Sequence, residues 1–421
     1  MTRRAEQAKW RSEHLSNILD TVIDYRGLSV PKSEIGVPLI TARNVREGTI
    51  DFTVREFIEE SAYGVWAKRG LPISGDVLFT TEAPLGNVAL FPSSGRFAIG
   101  QRVVALRPLP GLMDARYLLQ FLLSPVGKKR IDLFATGSTA KGISSGQLHK
   151  LLIDFPPLLQ QEKIASALSV WDTSIEKTAR LIATKLRRNE VLSNRLLFGH
   201  ARFGQRNTKA IRALHWFSAP SDWQVVEIGK VAREVSTLNG NDKALPFLSC
   251  TKYDGLVDSR KYFDKKIFSH DSSKSKIVRR GQFAYATNHI EEGSIGYQDL
   301  VPAGLVSPIY TVFQTDGKKV DDGYLYKLLK TEKLRQIFAA NTNASVDRRG
   351  SLRWKEFARI HIPLPSLDEQ REIDAVLDDA KREIALLQAE VTALKQQKRG
   401  LMQKLLTGQW RVPVEANEVA A

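Results

Sequence analysis

Residues 156–202 read PPLLQQEKIASALSVWDTSIEKTARLIATKLRRNEVLSNRLLFGHAR, and residues 365–411 read PSLDEQREIDAVLDDAKREIALLQAEVTALKQQKRGLMQKLLTGQWR. The second stretch starts 209 residues after the first and aligns with it without a gap. Pro156 meets Pro365, Leu158 meets Leu367, Gln161 meets Gln370, Ile164 meets Ile373, Leu168 meets Leu377 and Ile175 meets Ile384. The match closes with Leu192 and Leu401, Leu196 and Leu405, Leu197 and Leu406, Gly199 and Gly408, and Arg202 and Arg411. In the second copy, apolar side chains fall at Ile373, Leu377, Ala380, Ile384, Leu387, Val391, Leu394, Leu401 and Leu405, with Lys398 in the one polar slot. Steps of four and three make this a heptad seam. The first copy follows the same slots, with Thr178, Lys185 and Asn189 weakening its middle. Each copy predicts a helix of roughly 38 residues, about 57 Å long. Prolines stand before it, and Gly199 and Gly408 stand where C-caps belong. So narrow a seam leaves a lone helix half exposed, and the nearest partner is the other copy, packed antiparallel. Gln161, Ile164, Leu168, Ile175, Gln370, Ile373, Leu377, Ile384, Val391, Leu394 and Leu405 are the expected seam and docking positions.

The repeat continues upstream in weaker form. YLLQFLLSPVGKKRIDLFATGSTAKGIS from Tyr117 parallels YLYKLLKTEKLRQIFAANTNASVDRRGS from Tyr324, and GDVLFTT from Gly75 parallels GQFAYAT from Gly281. VPLITARNVREGTID from Val37 parallels LPFLSCTKYDGLVD from Leu245, and WRSEHLSNI from Trp10 parallels WQVVEIGKV from Trp223. Short alternating apolar runs, Gly and Pro turns and brief helices give an α+β class. The expected order is a globular domain over 1–155, a long helix over 156–203, a linker and second globular domain over 204–364, a second helix over 365–412 and a tail over 413–421. Two copies of so long a period are a duplicated domain and not a solenoid. With 421 residues, 43% hydrophobic and 26% charged, the chain reads as globular with several domains. Its net charge of +16 points to a polyanionic partner, nucleic acid first. The lone Cys250 excludes an internal disulfide and a cysteine-rich zinc site, and reads as a small buried residue. No apolar run long enough to span a membrane and no secretory pattern occur, so a cytoplasmic setting is expected. The helices match better than the globular parts: one shared task for the helices, different surfaces for the domains. A basic chain built this way fits two different half-sites on one duplex.

The PLPSLDEQREIDAVL…LKQQKRGLMQKLLTG segment, its copy PPLLQQEKIASAL…RLLFG and the GSTAKGIS loop resemble the specificity subunit of a type I restriction–modification enzyme, from about Trp10 to Arg411. One departure is Gln160 where the second copy has Glu369. The resemblance implies two target-recognition domains, each reading half of a split DNA sequence. It also implies that the helices space these domains and dock two adenine-methylating subunits, with translocating nuclease subunits joining for cleavage. S-adenosylmethionine, ATP and magnesium would then sit on those partners and not on this chain.

Motifs for chemistry are lacking. DFPPL at Asp154 is a near miss for a methyltransferase loop, because Phe155 separates the acid from Pro156 and Leu158 replaces an aromatic; it reads as a strand-to-helix junction. The Asp-x-Lys triplets at Asp264 and Asp379 have no partner motif, no phosphate-cradling Gly-rich loop occurs, and the histidines lack ligand spacing. Basic clusters nominate phosphate contacts at Lys128, Lys129 and Arg130, at Lys274 and Lys276, at Arg279 and Arg280, and at Arg348 and Arg349. Forked and amide side chains on repeat-matched loops nominate base contacts at Arg43, Asn44, Lys141, Lys252, Asn288, His289 and Asn343. Tyr285, Phe79, Trp66 and Trp354 read as packing residues. Two rival classes are a self-sufficient restriction–methylation enzyme, disfavoured by the missing motifs, and a coiled-coil adaptor without DNA, disfavoured by the charge.

Overall fold

The computed structural model describes residues 10–137, 141–204, 206, 210–240, 245–262, 272–342 and 350–412. The chain divides into two units, Met1–Arg180 with Gln388–Ala421, and Leu181–Leu387. These limits cut both long helices in their middles, where the sequence places boundaries at Pro156 and Pro365. Each unit therefore owns the head of one helix and the tail of the other. The central helix is Leu158–Leu197 and the distal helix Leu367–Leu405.

In the first unit, β1 (Arg11–His14) is followed by β2 (Leu19–Asp24), β3 (Val77–Thr80), β4 (Val88–Leu90) and β5 (Val103–Pro108). Helices α1 (Ala115–Leu123) and α2 (Pro125–Phe134) come next, and β6 (Leu152–Phe155) leads into the central helix. An antiparallel sheet has the order β2-β5-β3-β4, and β1 pairs with β6. Asp114 starts α1 by accepting from Tyr117 N at 2.9 Å, and Ser124 starts α2 by accepting from Gly127 N at 3.0 Å. Val77, Phe79, Val104 and Leu106 fill the sheet face beneath Leu118, Phe121 and Leu122.

The second unit repeats this frame. β7 (Gln224–Glu227) pairs with β12 (His361–Leu364). β8 (Ala232–Glu234), β9 (Phe283–Ala286), β10 (Ile295–Tyr297) and β11 (Tyr310–Thr315) form a sheet of order β8-β11-β9-β10. Helices α3 (Asp322–Leu329) and α4 (Glu332–Asn341) are capped by Asp321 and Thr331, the counterparts of Asp114 and Ser124. Phe79 and Tyr285, at matched places in the two sheets, are fully buried. Outside the frame the units diverge. The first carries a second four-stranded sheet, built from Lys32–Ser33, Phe57–Ile58, Val37–Ile40 and Ala98–Ile99, over a core that includes Trp66 and Phe91. The second carries two separate ladders, Leu248–Thr251 with Gly255–Asp258 and Lys276–Arg279 with Ala303–Val306.

The same joints close both units. Gln161 is fully buried; its amide donates to Leu112 O at 2.9 Å and Pro156 O at 2.8 Å, and accepts from Asp114 N at 2.9 Å. Gln370 repeats the set, donating to Lys319 O at 3.3 Å and Pro365 O at 2.9 Å and accepting from Asp321 N at 2.8 Å. Both glutamines are thus locks between a helix head and its own globular part, and not the seam positions expected from their spacing. Tyr117 and Tyr324 add matched bonds to Asp154 O at 2.8 Å and Pro363 O at 3.0 Å. The helix tails end at Gly408 and Gly199, both at φ +72°, where a Cβ would lie 3.2 Å from the Trp10 ring in one unit and 3.2 Å from the Trp223 ring in the other. Replacing Gln370 with alanine strands a buried N–H and two carbonyls. The expected cost is about 3 kcal/mol, read as lost amide-exchange protection in the second unit; unchanged protection would show the lock to be idle.

The apolar seam positions differ in burial, and Ile164, Leu168 and Leu405 join the first unit's globular core while Ile373 and Leu377 join the second's. Ile164, Leu168, Ile373, Leu377, Ile384 and Leu405 are buried, while Ile175, Val391 and Leu394 are half-buried. Fully burying one such side chain stabilises by about 1.5–3 kcal/mol. In the first unit, Lys398 in the polar slot meets Asp172 at 2.6 Å, and Gln120 of α1 donates to the same carboxylate at 2.7 Å. In the second, Lys185 meets Glu383 at 2.6 Å, and Lys327 of α3 pairs with Asp374 and Asp378. Head therefore faces tail in each unit. The stretch after Ala201, read as a linker, contains a hairpin of Ile211–Ala213 with Ser218–Pro220.

Candidate nucleic-acid interface

In the first unit, Arg43 is exposed and meets Glu56 at 3.2 Å; Lys32 meets the same acid at 2.7 Å. These three line a polar cleft of about 510 Å³ with Gln101 and Arg102. Asn44 is a correction. It is 2% exposed, accepts from Thr41 N and Oγ1, and donates to Asp51 O and Val54 O. With every amide atom engaged inside its loop, it shapes the loop and reads no base. Arg130 is a second correction: it spans β6, bonding Asp154 at 2.6 Å and Leu152 O, with Phe121 5.5 Å away. Lys128 pairs with Glu47 and lowers that carboxylate's pKa. Lys129 is exposed, and Lys141 is an exposed lysine 3.5 Å from Asp132.

In the second unit, Lys252 is exposed and lies over the Tyr253 ring at 5.2 Å. Lys274, Arg279 and Arg280 are exposed, the last two at the turn that ends the strand Lys276–Arg279. Lys276 turns inward and donates to Tyr310 O at 2.6 Å, so it is a strut and not a phosphate contact. It shares a cleft of about 590 Å³ with Asn288, Glu234, Ser351, Arg353, Trp354 and Lys355. Arg353 and Lys355 lie outside the basic clusters that the sequence nominates; the triplet Arg353-Trp354-Lys355 directly after a repeat-matched loop is the signal for them. Trp354 packs on Phe313 and Phe357, as a core residue does. Asn343, Arg348 and Arg349 lie outside the described residues.

Groups with displaced pKa values here have structural explanations. Desolvation pulls Lys330 down to about 8, while its ammonium donates to Lys252 O at 2.7 Å and Gly293 O at 2.8 Å, pinning two loops. Burial pushes the Cys250 thiol up to about 12, and its sulfur donates to Ala284 O, so it is an inert packing thiol. His289, Glu291 and Glu292 have ligand atoms within 4.8 Å of one another on an exposed turn, where His289 lies 3.4 Å from Glu292. Asp154 sits in β6 and the helix begins at Leu158, so DFPPL is the junction expected. Among the described residues, no helix is long and apolar enough to cross a membrane.

A family model for the type I restriction modification DNA specificity domain matches residues 36–184 and 220–396. Each match takes in one globular part and much of the long helix that follows it. A chain assigned as the type I restriction enzyme MjaX specificity subunit of Methanocaldococcus jannaschii is 24% identical over 425 residues, covering 96% of this chain and 94% of that one. The MjaVIII specificity subunit of the same organism is 27% identical over 210 residues, 47% of this chain and 44% of that one. The solved S subunit of the type I restriction-modification system from M. genitalium aligns with a TM-score of 0.56 at 17% identity, over 98% of this chain and 99% of that one. A chain from a structure on complex assembly and conformational transition of the type I R-M system gives a TM-score of 0.56 at 18% identity, over 94% and 97%. These structures share the fold. With two family matches that together take in most of its length, this chain belongs to the family of type I restriction-modification specificity subunits.

Proposed function

We propose that this chain is the non-catalytic reader of a bipartite, asymmetric DNA target, with one half-site for each unit. One observation carries the reading: the units share a frame and its joints down to single hydrogen bonds, yet differ in the outer sheets and clefts that face solvent. A common frame with divergent surfaces suits two related readers of two different sequences. The charge of +16 supplies the phosphate term that any such reader needs. The long helices act as an antiparallel coiled coil that sets half-site separation and docks two adenine-methylating subunits. Restriction subunits join the same assembly, and S-adenosylmethionine, ATP and magnesium bind to the partners.

The joints also make the readers exchangeable. Gln161 and Tyr117 bond only to backbone atoms across the helix–domain junction, so a foreign domain of the same frame can supply them. Replacing residues before Pro156 with a relative's domain is expected to change one half of the methylated sequence and leave the other intact. Methylome sequencing decides it, and change in both halves would overturn the reading. The rival classes separate in one assay: an adaptor shows no salt-dependent DNA binding, and a self-sufficient enzyme methylates without partners.

A further inference from the structure

The cleft beside Asn288 lies where one position of the repeated frame is filled differently in the two units. The frame bond is the same in both: Ile143 N donates to Thr81 O at 3.0 Å, and Leu352 N donates to Thr287 O at 2.8 Å. In the first unit Glu82 and Arg102 form an exposed ion pair of 2.8 Å at this place, Glu82 bridges to Gly142, and Arg102 also lines the first unit's own cleft. In the second, Asn288 stands in the place of Glu82, Ile309 in that of Arg102 and Ser351 in that of Gly142. No ion pair can form between an amide and an isoleucine, and Asn288, Ile309 and Ser351 line the cleft of about 590 Å³. The carbonyl of Asn288 is buried there without a donor among the described residues. Such an orphan can take a partner from outside the protein, a water or a ligand. The rim is basic: Arg353 and Lys355 are exposed and carry no ion pair among the described residues, against the single acid Glu234.

Resting on the two-reader function above, we propose that Asn288 reads an adenine in the second unit's half-site, and that Arg353 and Lys355 hold the flanking phosphates. An asparagine amide offers a donor and an acceptor in one plane, the complement of adenine N7 and N6–H₂ in the major groove. Asn288 lines the cleft, and a base edge entering it would supply the missing donor. Asn288 stands in the turn directly after β9, so a rigid sheet fixes its height above the duplex. The first unit's equivalent place carries Glu82 and Arg102 and offers no such amide, which makes this determinant private to one half-site.

The test uses the chain together with its methylating partner. Binding selection from a randomised duplex library and methylome sequencing are run on Asn288→Ala, Asn288→Asp and the double variant Arg353→Ala, Lys355→Ala. Asn288→Ala is expected to relax one A·T position of one half-site by about 5- to 150-fold, with the other half unchanged. Asn288→Asp is expected to move that position toward cytosine, whose amino group donates to a carboxylate. The double variant is expected to weaken binding to all sequences alike and flatten the log-salt slope by about one unit for each phosphate no longer neutralised. Parental preference at every position in Asn288→Ala overturns the proposal. If that variant no longer supports methylation, the library selection decides by the same criterion. A domain exchange that alters one half-site while Asn288→Ala alters nothing would sink this inference and spare the two-reader function.

Discussion

Exchanging Glu369 for glutamine is expected to destabilise the second unit by about 3 kcal/mol, whereas the mirror change Gln160→Glu in the first unit should stay within about 0.5 kcal/mol. The two positions occupy the same slot in the repeat, so the contrast comes from their surroundings. Arg202 and Glu369 have side chains only 4% and 3% exposed, and two parallel bonds of 2.8 Å join them. A third arm of Arg202 reaches Asp222 at 2.8 Å, and the guanidinium lies 5.7 Å from the Trp223 ring. The Glu369 bonds are the largest cause that raises the Arg202 pKa. Glutamine keeps the volume but turns an N–H₂ toward a buried cation, and the exposed Asp222 offsets that charge less than a buried carboxylate does. In the first unit Gln160 faces no such demand, because the matching Arg411 is exposed to water. Urea unfolding followed by amide exchange in the second unit measures the difference; equal stability of Glu369→Gln and the parent would refute it. The Gln160 departure, minor in the sequence, thus marks the point where one copy of the joint is ionic and the other is not.

What can be read in the chain alone follows from how local each signal is. The heptad slots, the proline junctions and the glycine caps are one-dimensional patterns, and long helices run over Leu158–Leu197 and Leu367–Leu405 with Gly199 and Gly408 at positive φ just past their ends. Gln161 and Gln370 escape such a reading because a polar residue one turn ahead of a seam looks like part of it. Their real partners are backbone atoms about 50 residues upstream on the globular frame, a distance of 47 residues for Asp114 and 49 for Asp321. Asn44 and Arg130 mislead for the same reason: an amide or guanidinium that satisfies a loop or spans a strand has the same composition as one that waits for DNA. Only burial and partner geometry separate the two cases, and both are tertiary. The converse holds for Arg353 and Lys355, whose charges are visible in the sequence but whose shared cleft with Asn288 depends on Ile309 and Ser351, far off in sequence or unremarkable in type.

The second large effect concerns the length of the helices. Seven residues inserted in both long helices, near Ile182 and near Val391, are expected to lengthen the gap between half-sites by about three base pairs. Seven keeps the seam in phase, so every apolar slot survives. Both sites fall between the two cross-helix ion pairs, Asp172 with Lys398 on one side and Lys185 with Glu383 on the other, so neither pair is split. They also lie far from Gln161, Gln370, Gly199 and Gly408, so the joints that close each unit are untouched. An insertion in one helix alone would put those ion pairs out of register and should cost folding. Each insert adds about 10.5 Å at 1.5 Å per residue, which at 3.4 Å per base pair is about three pairs. Three pairs also turn the second half-site by roughly 100° about the duplex axis. DNA twist must absorb that rotation, so total methylation is expected to fall. The sites still methylated carry the result: each half-site sequence stays as it was, because the clefts are unaltered, and the separation grows. Active protein that keeps the original separation would reduce the helices to a docking surface and leave the spacing to the partners.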